Sequence, residues 1–236
     1  MVTLSKRPEH ALASLIFLAG VPADTLEQFA ASVRWIDAGP DEIVVDFDDP
    51  TTDVFFVVQG IVRVQICSSN GEHTQILGDF AVGDLVGELS AIDDLHRSAQ
   101  VKCLVRTCLC VMPATTFLDL AFASRGLGLR LLRLLTARIR EQTHRLLEYT
   151  ALPMRLRLAA ELLRLSRLRS DGMRILSPPP TQEELAARIG TRRETISREL
   201  SALTDAGLLR RTRGALVLND PAALQAVVEA KLNQTL

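Results

Sequence analysis

The hydrophobic pattern of the chain changes period near residue 115, and this change restricts the folds that it can adopt. From residue 34 to 113, short β-branched runs alternate with turn signals such as Gly39-Pro40, Asp49-Pro50 and Asn70-Gly71. Runs this short and evenly spaced predict an antiparallel barrel or sandwich, and Asn70-Gly71 predicts a hairpin turn. Beyond residue 115 leucine and arginine recur with a helical period, so the chain is predicted to be an α+β protein.

The length of 236 residues is suited to two domains, each with its own core. We expect a β-barrel with flanking helices at 1–125, a long helix and hinge at 126–152, and a second domain at 153–236. The composition is that of a globular protein, and no apolar run reaches bilayer length. The first 20 residues lack a convincing cleavage site and predict a short amphipathic helix. We therefore expect a cytoplasmic protein that does not bind a membrane.

The long helix carries a regular apolar stripe. Its members follow one another at steps of three and four residues: Leu132, Leu135, Ile139, Gln142, Leu146 and Tyr149. The stripe needs a partner, which is either the chain's own barrel or, as the unbroken spacing favours, the same helix in a homodimer. Pro153 is expected to end or kink the helix and to make 150–154 the hinge. An amphipathic helix at 155–168 and a proline-rich loop are expected to follow.

Cysteine and histidine usage argues against a metal or redox centre. Cys67, Cys103, Cys108 and Cys110 lie in apolar, strand-like segments without CxxC spacing, so buried thiols are expected and no metal. His96 and His144 are expected to be exposed, although either would also suit a haem-binding protein. No catalytic constellation is visible in the sequence, which predicts that the protein is not an enzyme.

The net charge of −1 conceals a separation of charge along the chain. Residues 41–53 contain six acidic side chains and no basic one, whereas residues 191–213 contain six arginines and three acidic side chains. The first segment is therefore expected to repel phosphate and the second to attract it.

Two short helices joined by a tight turn are predicted after the prolines. Thr181 with Glu184 predicts a capping box for the first helix. Thr191 with Glu194 predicts another for the second helix, just beyond a turn at Gly190. The buried stripe of the second helix is expected to consist of Ile196, Leu200 and Leu203.

The opposite, polar face of the second helix and the hairpin after it are suited to DNA. Arginine can donate two hydrogen bonds to guanine, glutamate can accept one from cytosine, and basic residues of a two-stranded wing can reach phosphates. The residues expected to contact double-stranded DNA are Arg192, Arg193, Glu194, Ser197, Arg198, Arg211 and Arg213. The run Arg-Glu-Thr-Ile-Ser-Arg at 193–198 resembles the recognition helix of the cyclic-AMP receptor protein family. Solvation of an exposed helix is the alternative role for these charges.

The segment 83–101 is suited to bind an anion. Backbone amides of a short helix that begins at Gly87 can face a phosphate, and Arg97 can pair with it through two hydrogen bonds. Ser98 adds a hydroxyl donor, and Glu88 can accept a hydrogen bond from a ribose hydroxyl. Alternatively, Glu88 and Arg97 form an ordinary salt bridge between two loops.

The same segment resembles the phosphate-binding cassette of cyclic-nucleotide-binding domains, in which a Gly-Glu-Leu run precedes an Arg-Ser-Ala run. The resemblance implies that Arg97 and Ser98 bind the cyclic phosphate and that Glu88 binds the 2′-hydroxyl. The residues implied to form the pocket are Gly87, Glu88, Leu89, Ser90, Arg97, Ser98 and Ala99. On the long helix, Thr143 matches the family's base-contacting threonine and His144 matches a serine of the partner chain. The histidine departs from the family pattern and leaves the base preference open.

These resemblances cover roughly residues 25 to 220, and the chain is identified as a member of the cyclic-AMP receptor protein/fumarate-nitrate regulator (Crp/Fnr) family. They imply an N-terminal β-roll or jelly roll, a dimerisation helix and a C-terminal winged helix-turn-helix that binds a palindromic TGTGA-like site. They also imply cAMP as the allosteric ligand, with cGMP as the alternative, and RNA polymerase as a protein partner. Two other functions fit the residues: a DNA-binding regulator with a redox, gas or other effector, and a regulatory subunit that acts by protein contact.

Overall fold

The computed structural model describes residues 3–4, 9–68 and 73–234. The chain divides into two compact units, Met1–Thr136 and Ala137–Leu236, and the division falls within one long helix. The predicted hairpin turn at Asn70-Gly71 lies outside the described residues. No helix in the described part of the chain has the length and apolar character needed to cross a membrane.

The N-terminal segment, for which a short amphipathic helix was predicted, forms 3₁₀-helices after a short strand where the structure describes it. Strand β1 covers Thr3–Leu4, and 3₁₀-helices cover Glu9–Ser14 and Ile16–Leu18. Leu12, Leu15 and Leu18 are buried. Leu12 and Leu18 lie in the two 3₁₀-helices and Leu15 lies between them, and their spacing of three residues matches the three residues per turn of a 3₁₀-helix.

Strands of the first unit form two antiparallel sheets, in agreement with the sequence prediction. The other strands described in this unit are β2 (Arg34–Ala38), β3 (Ile43–Val45), β4 (Val54–Gln59), β5 (Ile61–Cys67), β6 (Thr74–Ala81), β7 (Leu85–Val86), β8 (Gln100–Cys103) and β9 (Thr107–Met112). One sheet has the order β1-β2-β9-β4-β7 and the other the order β3-β8-β5-β6. Strands β5 and β6 pair as neighbours on either side of residues 68–73.

Both faces of the first sheet are covered, which explains why its strands are apolar throughout. Val57 and Leu109 pack with Val62 and Val101 of the other sheet in one core. The opposite face packs against helices in a second core, which includes an aromatic cluster of Phe17, Phe56 and Phe117. Strand β9 is therefore buried along its entire length and shows no alternation of apolar and polar residues.

Helices of the first unit flank the sheets, and the last of them continues into the second unit. They are α1 (Ala23–Ala30), α2 (Glu88–Asp93), α3 (Ala114–Phe122) and α4 (Arg125–Ala151). The sequence predicted helical structure from near residue 115, and the structure divides it into α3 and α4. The Leu127 amide donates to Ser124 Oγ at 3.2 Å, so the serine side chain caps a new helix and separates α4 from α3.

The second unit combines helices with a small sheet. Its remaining elements are α5 (Met154–Leu165), β10 (Arg167–Leu168), β11 (Arg174–Leu176), α6 (Gln182–Ile189), α7 (Arg193–Asp205), β12 (Leu209–Thr212), β13 (Ala215–Leu218) and α8 (Pro221–Asn233). Pro153 separates α4 from α5, as predicted. The sheet has the order β10-β11-β13-β12, and its core includes Leu158, Leu185, Leu200 and Leu218.

The predicted helix at 155–168 extends three residues too far at its C-terminal end, since α5 ends at Leu165. Arg174 donates to Ser166 Oγ at 2.9 Å and to the Leu163 carbonyl at 3.2 Å, which satisfies the C-terminal end of α5. Residues 167–168 then pair with β11. The loop that was predicted to follow this helix therefore contains the β10–β11 hairpin, which belongs to the four-stranded sheet of the second unit.

Candidate functional site

The cassette segment begins at a glycine with a left-handed backbone. Gly87 has φ +86° and lies immediately before α2. A Cβ atom on this residue would lie 2.7 Å from Arg97 Nη1 and 2.9 Å from the Asp53 carbonyl oxygen. Glycine is therefore required both by the backbone conformation and by the close approach of Arg97.

The side chain of Arg97 is held beside Gly87 by hydrogen bonds. Its guanidinium donates to Thr51 Oγ1 at 3.2 Å, to the Gly87 carbonyl at 3.0 Å and to the Asp53 carbonyl at 2.7 Å. It also lies over the Phe55 ring, with the guanidinium carbon 5.6 Å from the ring centre. These contacts fix the direction of the arginine and join the two ends of the cassette.

The backbone of Arg97 is bonded to the acidic loop between β3 and β4. Its amide donates to the Asp49 carbonyl, and its own carbonyl accepts from the Asp48 amide, both at 2.9 Å. The side chain is only 3% exposed. Burial lowers the pKa of Arg97, and the negative charges of Asp53, Asp49 and Glu88 offset part of this effect. An anion against the guanidinium would stabilise its charge further.

The other predicted cassette residues surround this arginine with different exposures. Glu88, Ser90 and Ala99 are buried, whereas Leu89 and Ser98 are exposed. His96 is exposed, as expected, and its Nδ1 lies 3.1 Å from Asp48 Oδ1. The cassette thus combines an exposed hydroxyl, that of Ser98, with a buried cation, that of Arg97.

The second candidate site lies on α6, α7 and the β12–β13 hairpin. The predicted capping box is present at the start of α6: the Glu184 amide donates to Thr181 Oγ1 at 3.1 Å, and the Thr181 amide donates to Glu184 Oε2 at 2.8 Å. Gly190 ends this helix with φ +66°. On α7 the predicted stripe is buried, namely Ile196, Leu200 and Leu203.

The second predicted capping box, Thr191 with Glu194, is absent, and this prediction was wrong. The Thr191 amide donates to the Ala186 carbonyl at 3.0 Å, so this residue belongs to the C-terminal turn of α6. Arg192 is the N-cap of α7, and no side chain caps that helix start. Glu194 is therefore exposed and is not used as a capping residue.

Most of the basic side chains expected at DNA are exposed. Arg192, Arg193 and Arg198 are exposed on or beside α7, where Ser197 is half-buried. Arg193 Nε lies 2.9 Å from Glu183 Oε1 of α6, so this arginine has an acidic neighbour in the free protein. The wing arginines Arg211 and Arg213 are exposed at the β12–β13 turn.

Two family models match the chain at these two sites. The cyclic nucleotide-binding domain matches residues 36–124, and the Crp-like helix-turn-helix domain matches residues 156–227. The cyclic AMP receptor protein of Thermus thermophilus is 31% identical over 174 residues, which are 74% of this chain and 78% of that protein. This chain belongs to the Crp/Fnr family of transcription regulators.

Solved structures of other family members share the fold. A mutant of CooA from Carboxydothermus hydrogenoformans has a TM-score of 0.75 at 18% identity, over 96% of this chain and 98% of that chain. The c-di-GMP responsive global regulator CLP of Xanthomonas campestris has a TM-score of 0.67 at 22% identity, over 84% of this chain and 99% of that chain. Lysophospholipase NTE1 of Phaeosphaeria nodorum is 23% identical over 109 residues, 46% of this chain but 7% of that enzyme.

Membership of the Crp/Fnr family makes this chain a DNA-binding transcription regulator with a cyclic-nucleotide-binding domain. Its family relatives are transcription regulators and not enzymes, and the matches to lysophospholipases cover only the cyclic-nucleotide-binding domain. Regulators of this family bind a small-molecule effector and are typically dimeric.

Helix α4 contains the apolar stripe that the sequence predicts to be a dimer seam, and this stripe is partly exposed. Leu132, Ile139 and Leu146 are 58%, 66% and 63% exposed. Leu135 is half-buried, and so is Tyr149, whose hydroxyl donates to the Arg188 carbonyl. Exposed leucine and isoleucine side chains at steps of seven residues are typical of a helix that pairs with another copy.

Thr143 and His144 lie on the part of α4 that belongs to the second unit, whereas the predicted cassette residues all belong to the first. The Thr143 hydroxyl donates to the Ile139 carbonyl at 2.8 Å. His144 is exposed, and its Nε2 lies 3.2 Å from Glu148 Oε1.

Three of the four thiols are buried, as predicted, and Cys67 is only half-buried. Burial raises the pKa of the Cys103 thiol, and it raises that of Cys110 to about 12, with a smaller contribution from Cys108. These thiols are therefore unreactive core residues. Among the residues that the structure describes, no cluster of side chains has the composition of a metal site.

Sequence reasoning missed the residues that position the site residues. Thr51, Asp53 and Phe55 orient Arg97, and Glu183 contacts Arg193. In the sequence, Thr51 and Asp53 stood out only as members of the acidic segment 41–53. No local spacing relates them to residue 97, which lies 46 and 44 positions further along the chain.

Proposed function

We propose that this chain is a homodimeric regulator that binds cAMP, with cGMP as the alternative, and then recognises a palindromic TGTGA-like site. The buried Arg97 guanidinium is the observation that carries the ligand. Its hydrogen-bond partners are one hydroxyl and two carbonyl oxygens, so an anionic ligand would supply a full negative charge to a desolvated cation. A cyclic phosphate at the start of α2 has the required charge and size.

The hydrogen bonding of Thr143 favours adenine over guanine as the base of the proposed ligand. Its hydroxyl donates to the Ile139 carbonyl, which leaves acceptor lone pairs for a ligand. The exocyclic amino group at C6 of adenine donates hydrogen bonds, whereas guanine has a carbonyl at that position. A threonine with its donor occupied therefore favours cAMP. By the family pattern, the partner subunit's His144 would contact the base from the other copy of this helix.

A different effector is the second candidate, and the acidic loop favours it. Asp46, Asp48 and Asp49 lie on the loop that bonds to the Arg97 backbone, and each is at least partly exposed. Their charges would weaken the binding of a phosphate nearby. A regulatory subunit that acts only by protein contact has no comparable support, because it would not need the basic wing.

The proposed mechanism is a population shift within the dimer. The nucleotide would stabilise the conformation in which two recognition helices α7 are separated by about one turn of DNA, roughly 34 Å. Only that conformation contacts both half-sites at once. RNA polymerase is the proposed protein partner of the resulting DNA complex.

Calorimetric titration with cAMP and with cGMP, followed by DNA-binding measurements with and without each nucleotide, tests the proposal. We expect cAMP to bind more tightly and to increase affinity for the palindrome. If neither nucleotide binds while the protein still binds specific DNA, the effector is of another class. If the protein has no DNA affinity that depends on the wing arginines, the proposed site is wrong.

The substitution Thr143→Ala is expected to change base selectivity and not overall affinity. Loss of one hydrogen bond to adenine should lower the ratio of cAMP to cGMP affinity by roughly fivefold. Competition titrations with both nucleotides measure this ratio. An equal loss of affinity for both would instead show that Thr143 acts only through packing on α4.

The substitution Ile139→Glu is expected to weaken the dimer. In a homodimer the two copies of this seam residue would meet, so the new carboxylates would lose water and repel each other. We expect the dissociation constant of the dimer to rise at least about tenfold, as measured by analytical ultracentrifugation. Arg140→Glu adds the same side chain on the exposed face next to the seam and should have little effect. Equal effects of the two variants would contradict a seam through Ile139.

A further inference from the structure

A buried ion cluster connects three helices of the second unit. Its contacts join Glu148 of α4, Glu161 and Arg164 of α5, and Arg188 of α6, and Arg145 of α4, which pairs with Glu141 at 3.1 Å, lines the same cavity. All of these except Arg164 and Glu141 are at most 8% exposed. Charged side chains are rarely buried to this extent unless they are paired, so the cluster holds its helices in one arrangement.

The cluster forms a continuous chain of contacts from α4 to α6. Arg164 Nη2 donates to both carboxylate oxygens of Glu148, at 2.6 and 2.7 Å, and Arg164 Nη1 donates to Glu161. Arg188 Nη1 then lies 3.5 Å from Glu161 Oε1. Burial alone would lower the pKa of Arg164, but Glu161 and Glu148 outweigh this effect and raise it. The arginine therefore stays charged as the bridge between two helices.

A second set of contacts fixes the turn at Pro153. The Tyr149 hydroxyl donates to the Arg188 carbonyl, so the end of α4 is bonded directly to α6. Arg157 Nε donates to the Leu152 carbonyl at 2.9 Å, and its guanidinium carbon lies 5.8 Å from the centre of the Tyr149 ring. Leu152 itself is buried in the core of the second unit. The residues on both sides of Pro153 are thus attached to the DNA-binding domain.

The cluster is not suited to bind a ligand. The cavity among its side chains has a volume of about 10 Å³, which is room for about one water molecule. A nucleotide needs a cavity of several hundred Å³. The role of these charges is therefore to position helices.

We propose that the ion cluster clamps residues 145–151 of α4 onto α5 and α6, and that effector-dependent changes in α4 reach α6 through it. The sequence placed the hinge at 150–154, whereas the clamp makes that turn rigid and moves any flexible joint to the N-terminal side of Arg145. This inference rests on the proposed function, because the effector must act on α4.

The chain of contacts ends at an exposed residue, His144, which is proposed to contact the effector. His144 Nε2 is 3.2 Å from Glu148 Oε1, the same oxygen that accepts from Arg164. A ligand that displaces His144 therefore alters the first carboxylate of the cluster. Because a largely buried ion pair has few alternative geometries, the change passes on as a shift of whole helices and not as local bending.

Hydrogen–deuterium exchange of the full-length protein without ligand tests the clamp. In Glu148→Gln and in Arg164→Gln the amides of residues 145–151 should exchange at least about tenfold faster than in the wild type. The double variant should exchange no faster than Arg164→Gln, because that change already removes the contact between Arg164 and Glu148. Unchanged exchange in the single variants, or additive effects in the double variant, would overturn the proposal.

Two further variants separate the clamp from general destabilisation. Tyr149→Phe keeps the shape of the ring and removes only the bond to α6, so exchange at 145–151 should rise by roughly fivefold in a protein that folds normally. The matched control is the pair Arg155 and Glu199, which joins α5 to α7 at 2.8 Å outside the cluster. Glutamine at both positions should leave exchange at 145–151 unchanged. An unchanged rate in Tyr149→Phe would contradict the clamp.

DNA binding tests the coupling itself. In Glu148→Gln the increase in DNA affinity caused by cAMP should fall at least about tenfold, while affinity for cAMP stays within about twofold of the wild type. Pro153→Ala should keep the full increase. Loss of the increase in Pro153→Ala, or its retention in Glu148→Gln, would overturn the proposed route. If the wild type does not bind cAMP, the proposed function fails, whereas the exchange measurements still decide whether the clamp exists.

Discussion

Arg97→Ala is expected to weaken cAMP binding by at least about thirtyfold, which corresponds to about 2 kcal/mol. The change removes the cation that would face the cyclic phosphate and leaves that anion unpaired in a partly dehydrated site. It also removes the donors to the Gly87 and Asp53 carbonyls, so the domain should be somewhat less stable but still folded. Calorimetric titration measures the affinity, and thermal unfolding measures the stability.

Two other variants make this result specific. Arg97→Lys keeps the charge but cannot form all three guanidinium contacts, so its affinity should lie between those of the alanine variant and the wild type. Arg106→Ala removes an exposed arginine from the turn between β8 and β9 and should leave the affinity unchanged. If Arg97→Ala bound cAMP within a few-fold of the wild type, the cassette would not be the nucleotide site.

Arg193→Ala is expected to cost about 1–3 kcal/mol of affinity for the operator and to relax the preference at one guanine. The arginine is exposed on α7 and lies beside Glu183 in the free protein, so it must leave that carboxylate to contact a base. The wing substitution Arg211→Ala should weaken binding to all sequences alike and reduce the salt dependence of binding by about one phosphate contact.

Selection from random DNA distinguishes the two roles. The Arg193→Ala protein should select a palindrome with one degenerate position in each half-site, whereas the Arg211→Ala protein should select the wild-type sequence. Titrations at several salt concentrations should show the smaller slope only for the wing variant. If the Arg193 variant selected an unaltered palindrome, that arginine would contact phosphate and the recognition face of α7 would be rotated.

The sequence alone determined the features that depend on neighbouring residues. The period change near residue 115, the capping box of Thr181 and Glu184, and the turn at Gly190 each depend on residues within one or two helical turns of one another. Helix α5 was expected because Pro153 cannot continue α4. For the same reason the cassette and the recognition helix, each a short continuous run, could be identified from their residues.

Tertiary contacts decided where local signals competed. Thr191 and Glu194 have the spacing of a capping box, but the C-terminal turn of α6 takes up the Thr191 amide and moves the start of α7 to Arg192. Apolar residues continue through 115–135, yet Ser124 begins a new helix there. In both places the hydrogen bond that forms belongs to only one of the two structures that the sequence permits.

Only the folded chain brings together groups that are distant in sequence. Arg97 finds its partners at Thr51 and Asp53, and Glu148 reaches Glu161 and Arg188 through Arg164. No periodic pattern records such contacts, because they depend on how strands and helices pack and on which charges lose water when they do. The sequence therefore determined most of the local elements and is the basis for proposing which residues bind phosphate and DNA, while packing decided which charges are buried and how α4 is joined to the DNA-binding domain.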